Sequence, residues 1–224
     1  MENREERESE EELGESFIRS IWSTSKEAVV ELGDIGLNLV TNSTVLDSIP
    51  VLGVFASLAK AAFSLRDRIF LKKLIIFFEA VKKGTSDEKI EEFRRKMESD
   101  PQLRRKVGEN TILLMERHDS FDKSRILGKV FVGWLNGKIT YDQFYRIALV
   151  IDRAFIEDLV NLKQYYQSIE KYRMEEGIPF IVYLDDDKCQ SLYNSHLVKE
   201  SGYTENIYLK NELGELLIQL LEES

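Results

Sequence analysis

The sequence predicts a mostly α-helical chain that ends in a small α+β module, and three observations carry that expectation. Apolar residues recur at three- and four-residue spacing over most of its length, which is the period of a helix with one buried face. Capping signatures stand at the expected helix starts. Only three prolines and 12 glycines occur in 224 residues, too few for a loop-rich or all-β design. Hydrophobic content of 43% with 32% charged residues is that of a folded chain long enough for one or two domains.

Four regions are expected. Residues 1–14 are Glu-rich and lack aromatic residues, so they read as a disordered acidic tail. Residues 15–83 read as amphipathic and hydrophobic helices. One helix is expected from Glu15 to Leu39, with Phe17, Ile18, Ile21, Trp22, Val29 and Leu32 on its apolar side. The run Asp47-Ser48-Ile49-Pro50 breaks the next apolar stretch into two pieces, because the residue before proline disfavours helix. The chain then turns basic as well as apolar in RDRIFLKKLIIFFEAVKK.

Residues 84–177 read as a helical bundle. Thr85 and Glu88 are spaced as a capping box, and Asp100-Pro101 places an N-cap before a proline at the first helical position. Asp119 or Ser120 caps the following helix, which closes at the Asn136-Gly137 turn. Thr140 and Gln143 form a second capping box, with Ile139 and Phe144 at staple positions. Phe144, Ile147, Ile151, Phe155, Leu159 and Leu162 then make one stripe, expected in the core.

Residues 178–224 change texture. IPFIVYL reads as a strand, DDDKCQSLYNSHL as a helix, LVKESGYTENIYL as a hairpin and NELGELLIQLLEE as a closing helix. That order resembles the latter part of a winged helix. The resemblance departs at Leu209-Lys210-Asn211-Glu212-Leu213-Gly214, where such domains carry a Thr at the helix start.

Charge is distributed unevenly around a net −9. Residues 1–34 hold 11 acidic and 4 basic side chains, a net −7, and residues 178–224 hold 9 and 3, a net −6. The middle, 35–177, holds 20 and 24, a net +4. Phosphate contacts dominate DNA affinity, so the acidic tail is not expected to bind duplex DNA. Arg94-Arg95-Lys96 and Arg104-Arg105-Lys106 stand among glutamates and read as mixed solvated faces.

Catalytic and metal-binding chemistry finds little to use. No phosphate-binding glycine loop, dinucleotide fingerprint or HExxH helix is present, and His118 and His196 are the only histidines. The stretches from Asp119 and from Asn136 lack calcium-loop ligand spacing, and Asp185-Asp186-Asp187 reads as a solvated helix cap. A non-enzymatic protein with no metal or cofactor is expected. The single Cys189 makes no intrachain disulfide, and the charged opening is no secretory signal. A cytosolic protein, free or bound to the inner membrane, follows as the expectation.

The segment Ile35–Ala59 has one formal charge, Asp47. Its twelve Leu, Ile, Phe and Val residues contribute about −5 kcal/mol to insertion, which a central Asp at roughly 2.5–3.5 kcal/mol and the amides largely cancel. Two readings stay open. Either the segment is a buried hairpin in a soluble bundle, or it enters a membrane as an oligomer. In the second, Asp47, Ser43 and Thr44 line a pore and Val54 and Phe55 face lipid. Lys60, Arg66, Arg68, Lys72 and Lys73 would then meet anionic headgroups.

The runs SIPVLGVFASLAKAAFSLRDRIFLKKL and ILGKVFVGWLNGKITYDQFYRIALVIDRAF, with the winged-helix-like tail, resemble a group of bacterial proteins. Some of these are similar to membrane-acting effectors of antiphage defence operons. Over residues 45–224 the resemblance implies a bacterial effector whose N-terminal part acts on the inner membrane and whose C-terminal part senses a partner. With the charge-poor segment, the leading expectation is an oligomeric, membrane-associated effector, pore- or channel-forming, that a regulatory protein or ligand controls. The competing expectation is a soluble helical interaction module that binds protein or nucleic acid through its tail.

Overall fold

The structure is a computed structural model that describes residues 2–35, 49–58, 64–175, 186–200 and 208–223. Among these are eleven helices and one two-stranded sheet. They fall into two compact units, Met1–Lys138 and Ile139–Ser224. The expected bundle 84–177 is therefore divided at the Asn136-Gly137 turn, where Gly137 has a φ of 77°.

The first unit holds α1 (Glu2–Ser23), α2 (Lys26–Ile35), α3 (Pro50–Leu58), α4 (Leu65–Gly84), α5 (Asp87–Ser99), α6 (Pro101–Arg117) and α7 (Phe121–Leu135). The segment expected as a disordered tail is helical from Glu2. Two features hold its end against α6. Glu11 and Glu15 pair with Arg105 and Arg104, and Gly14 crosses Gly108. A Cβ on Gly108 would stand 2.2 Å from the Gly14 carbonyl oxygen, so only a glycine lets the two backbones approach so closely.

The single helix expected from Glu15 to Leu39 is instead broken at Thr24 and Ser25. The Ser25 hydroxyl accepts from the Ala28 amide at 3.1 Å and starts α2. Residues 36–39 lie outside the described residues. At the other break, the Ser20 hydroxyl of α1 accepts from the Val51 amide at 3.0 Å, satisfying an orphan donor in the first turn of α3. Helix α5 is capped by Ser86, which accepts from Lys89, rather than by Thr85. The Thr85 hydroxyl is used across the fold, donating to Asn136 at 2.9 Å.

Helix α4 packs chiefly on α7, with α1 against α6 and α3, and α2 against α4. Where they meet, the Phe77 ring lies 5.3 Å from both Phe17 and Phe131, and Phe93 lies 5.2 Å from Trp134. Edge-on and tilted aromatic pairs of this kind add to the stabilisation from area alone.

The second unit holds α8 (Tyr141–Arg153), α9 (Ile156–Glu175), α10 (Asp186–Asn194), β1 (Val198–Glu200), β2 (Tyr208–Lys210) and α11 (Glu212–Glu222). The capping box of Thr140 and Gln143 is present, and Ile139 and Phe144 are both buried. The stripe beyond it is two helices and not one. The chain turns at Ala154, and Phe155 points outward with 65% exposure, so the core position expected for it is wrong. The strands pair antiparallel with Val198 opposite Lys210. Asn211 caps α11, accepting from the Gly214 amide at 2.8 Å, so an amide does what a Thr hydroxyl would. The strand expected over 178–184 lies outside the described residues.

Candidate functional site

Helices α1, α3, α4 and α6 enclose an open groove of about 670 Å³. Each wall is fixed by a local signal. Pro50 opens α3. Ser64 starts α4 in a capping box with Asp67, and Asp100 caps α6 ahead of Pro101. The groove floor is apolar, built from Leu13, Phe55, Ile69, Phe70 and Ile112. The Phe55 and Phe70 rings lie 5.2 Å apart. Arg66 of α4 and Glu116 of α6 pair across the rim, and Asp67 is occupied by the Ser64 amide and hydroxyl. The rim therefore neutralises its own charge. Beside it, Leu65 is 72% exposed and Leu113 is 52% exposed.

Lys73 forms the back of this groove. Its side chain is buried, and its ammonium donates to the carbonyls of Met115 and Glu116 at 3.1 Å each and to that of His118. A cation thus closes the carbonyl end of α6, where the helix dipole favours positive charge. Burial pushes the Lys73 ammonium below the ordinary lysine range, partly offset by Glu116 and Asp119.

Only part of the expected membrane-facing set assembles here. Asp47, Ser43, Thr44 and Lys60 lie outside the described residues. Val54 and Phe55 are half-buried, with Phe55 packed on Phe70. Arg66 is exposed and paired, and Arg68 is half-buried. Lys72 sits 4.5 Å over the Phe121 ring. Lys73, expected at headgroups, points inward. The signal for that was in the sequence, since Lys73 stands four residues from Ile69 and from Phe77 on the apolar side of its helix. Among the described residues no helix is long and apolar enough to cross a membrane. Helix α3, at nine residues, spans about 14 Å against the ~30 Å of a hydrocarbon core.

No group of three or more His, Cys, Asp or Glu suited to a metal occurs among the described residues. His118 Nδ1 lies 3.4 Å from the Ser124 hydroxyl, but both side chains are buried, so this pair is closed to substrate. Burial, with Lys123 and Lys73 nearby, pushes the His118 imidazole down to about 3, keeping it neutral. Cys189 is buried. The basic clusters are mixed faces as expected: Arg94 pairs with Glu98 and Arg105 with Glu109, while Lys96 lies over Trp134.

No family model, no curated protein and no solved structure matches this chain.

Proposed function

We propose that this protein works by binding rather than by catalysis, and that its first unit receives an amphipathic helix of a partner protein in the groove of α1, α3, α4 and α6. One observation carries the reading: an apolar floor lies open at a self-neutralised rim, with the exposed Leu65 on its lining and the exposed Leu113 next in the chain to Ile112 of the floor. A small ligand would be enclosed, since pockets for such molecules cover most of the ligand surface. An open groove with leucines on its flank suits a helix that lays its i, i+3, i+4 and i+7 side chains along it. The paired rim asks for no net charge on that helix.

A second reading has its own support. Leu65 and Arg66 are adjacent and highly exposed, a combination that dips into a membrane interface with its charge at the headgroups. It agrees with the charge-poor segment 35–59 and with the resemblance to membrane-acting effectors of bacterial defence. Under either reading the helix–hairpin–helix tail, with its Asn211 cap, is taken as winged-helix-like and serves protein contact.

A photo-crosslinker placed at Leu113 in the native host tests both. Adducts on the apolar face of one helical segment of a protein support the groove. Lipid adducts, with flotation on anionic liposomes, support the membrane reading. Absence of either would sink both.

A further inference from the structure

Three lysines are buried among the described residues, and two of them are accounted for. Lys73 closes the end of α6, and Lys123 pairs with Asp119 at 3.0 Å. Lys82 of α4 is only 5% exposed, yet it makes no hydrogen bond or ion pair with the described residues. It lines a second pocket, of about 430 Å³, where the turn between α1 and α2 meets the first turns of α5. Thr24, 3% exposed at the same wall, has a hydroxyl that likewise has no hydrogen-bond partner among the described residues.

We infer that this pocket takes a small ligand carrying one phosphate or carboxylate group, with the Lys82 ammonium as its anchoring charge. The Lys82 stem is buried and its ammonium opens on this pocket, where no side chain among the described residues pairs with it, so an anion seated there gains a charge partner that the protein itself does not supply. The exposed Lys26 lines the same pocket, with no ion pair among the described residues, and its charge repels that of Lys82. An oxyanion between them would relieve both. The N-terminal end of α2, opened by Ser25, lies at the same wall and favours negative charge.

The carboxylates nearby do not fill that role. Glu27 is held by its own amide and by Ser25. Glu91 is 3.8 Å from Arg94. Asp87 acts on Lys82 only from beyond ion-pair distance. These acids are instead placed to accept from donor groups on the ligand. Trp22 and Ile90 supply an apolar wall, so a ligand with a flat apolar body beyond its anionic end fits best.

The test is protection of the Lys82 amine in the full chain. Reductive methylation, followed residue by residue by mass spectrometry, is run at equal ionic strength in chloride, inorganic phosphate or acetate, with the exposed Lys106 as reference. At about ten times Kd, the anion should slow Lys82 labelling roughly tenfold and leave Lys106 unchanged. Protection by phosphate alone assigns a phosphorylated ligand, and equal protection by acetate assigns a carboxylate. The same anion should raise the melting temperature of the wild type and not that of Lys82→Met. If Lys82 is labelled at one rate in all three salts, the inference is overturned, whether or not the variant folds.

Discussion

The ammonium of Lys73 donates to the main-chain carbonyl of His118, and with Met115 and Glu116 it satisfies three carbonyls at the end of α6. Helix α4 and helix α6 are thereby joined by a buried charge–dipole contact. Lys73→Met keeps the stem but leaves those carbonyls without their donor, at a cost of about 2–4 kcal/mol. Urea unfolding measures it. A variant as stable as the wild type would show that water replaces the ammonium.

His118 sets a pH dependence at the same corner. Its imidazole lies at about 3 in the folded chain, below its ordinary 6.5. Between those values the unfolded chain binds the extra proton, so stability falls as pH drops from 6.5 toward 3 and the loss is complete below that. At about 1.4 kcal/mol per unit, the loss is of the order of 4–5 kcal/mol. Carboxylates titrate in the same range, so the difference between the wild type and His118→Gln isolates the imidazole. The variant should lose stability less steeply on acidification, and parallel curves would exclude this account.

Backbone crossings make a third expectation. Gly108→Ala sets a methyl group against the Gly14 carbonyl, which as backbone cannot turn aside, and should cost about 3 kcal/mol or more by displacing α1. Gly214→Ala instead meets the Tyr166 hydroxyl at 1.9 Å. That hydroxyl donates to the Leu197 carbonyl. Tyr166→Phe removes the bond and the closest contact, leaving the ring Cζ at 2.7 Å and the Leu197 carbonyl at 2.9 Å from the new methyl group, so the Gly214→Ala, Tyr166→Phe double variant should be more stable than the two single costs add to. Thermal unfolding of the four proteins closes the cycle, and strict additivity would contradict the contact.

These crossings mark where the sequence stops being informative. Helix starts at Ser86, Asp100, Ser120 and Thr140 rest on one side chain and the next three residues, and short-range patterns reveal them to within a position. The acidic tail looked unstructured because its order comes from Arg104, Arg105 and Gly108, some 90 residues away. Phe155 continued the helical stripe on paper, yet the turn at Ala154 rotates it outward. Phe155→Ala should therefore shift stability by no more than about 0.5 kcal/mol, whereas Phe144→Ala should cost about 3–5 kcal/mol. A large loss at Phe155 would restore it to a core. The groove was illegible for the same reason as the tail, since Leu65, Ile112 and Phe55 come to one groove only through the packing of three helices.

The proposed binding surface makes the last expectation. Leu65 and Leu113 are already in water in the free chain, so changing both to Lys removes little buried area and should move unfolding by about 0.5 kcal/mol or less. Their use is external, and the cost should appear in association. If an amphipathic helix lies across them, the double Lys variant loses its crosslinked protein partner, because two ammonium groups must be desolvated against an apolar face. A membrane surface responds differently. Added lysines at an interface raise attraction to anionic lipid, so flotation on anionic vesicles should persist or grow while binding to neutral vesicles is lost. A third pattern, destabilisation of the chain with no change in any association, would mean that the two leucines are packed in the folded protein and that the groove is not a binding surface.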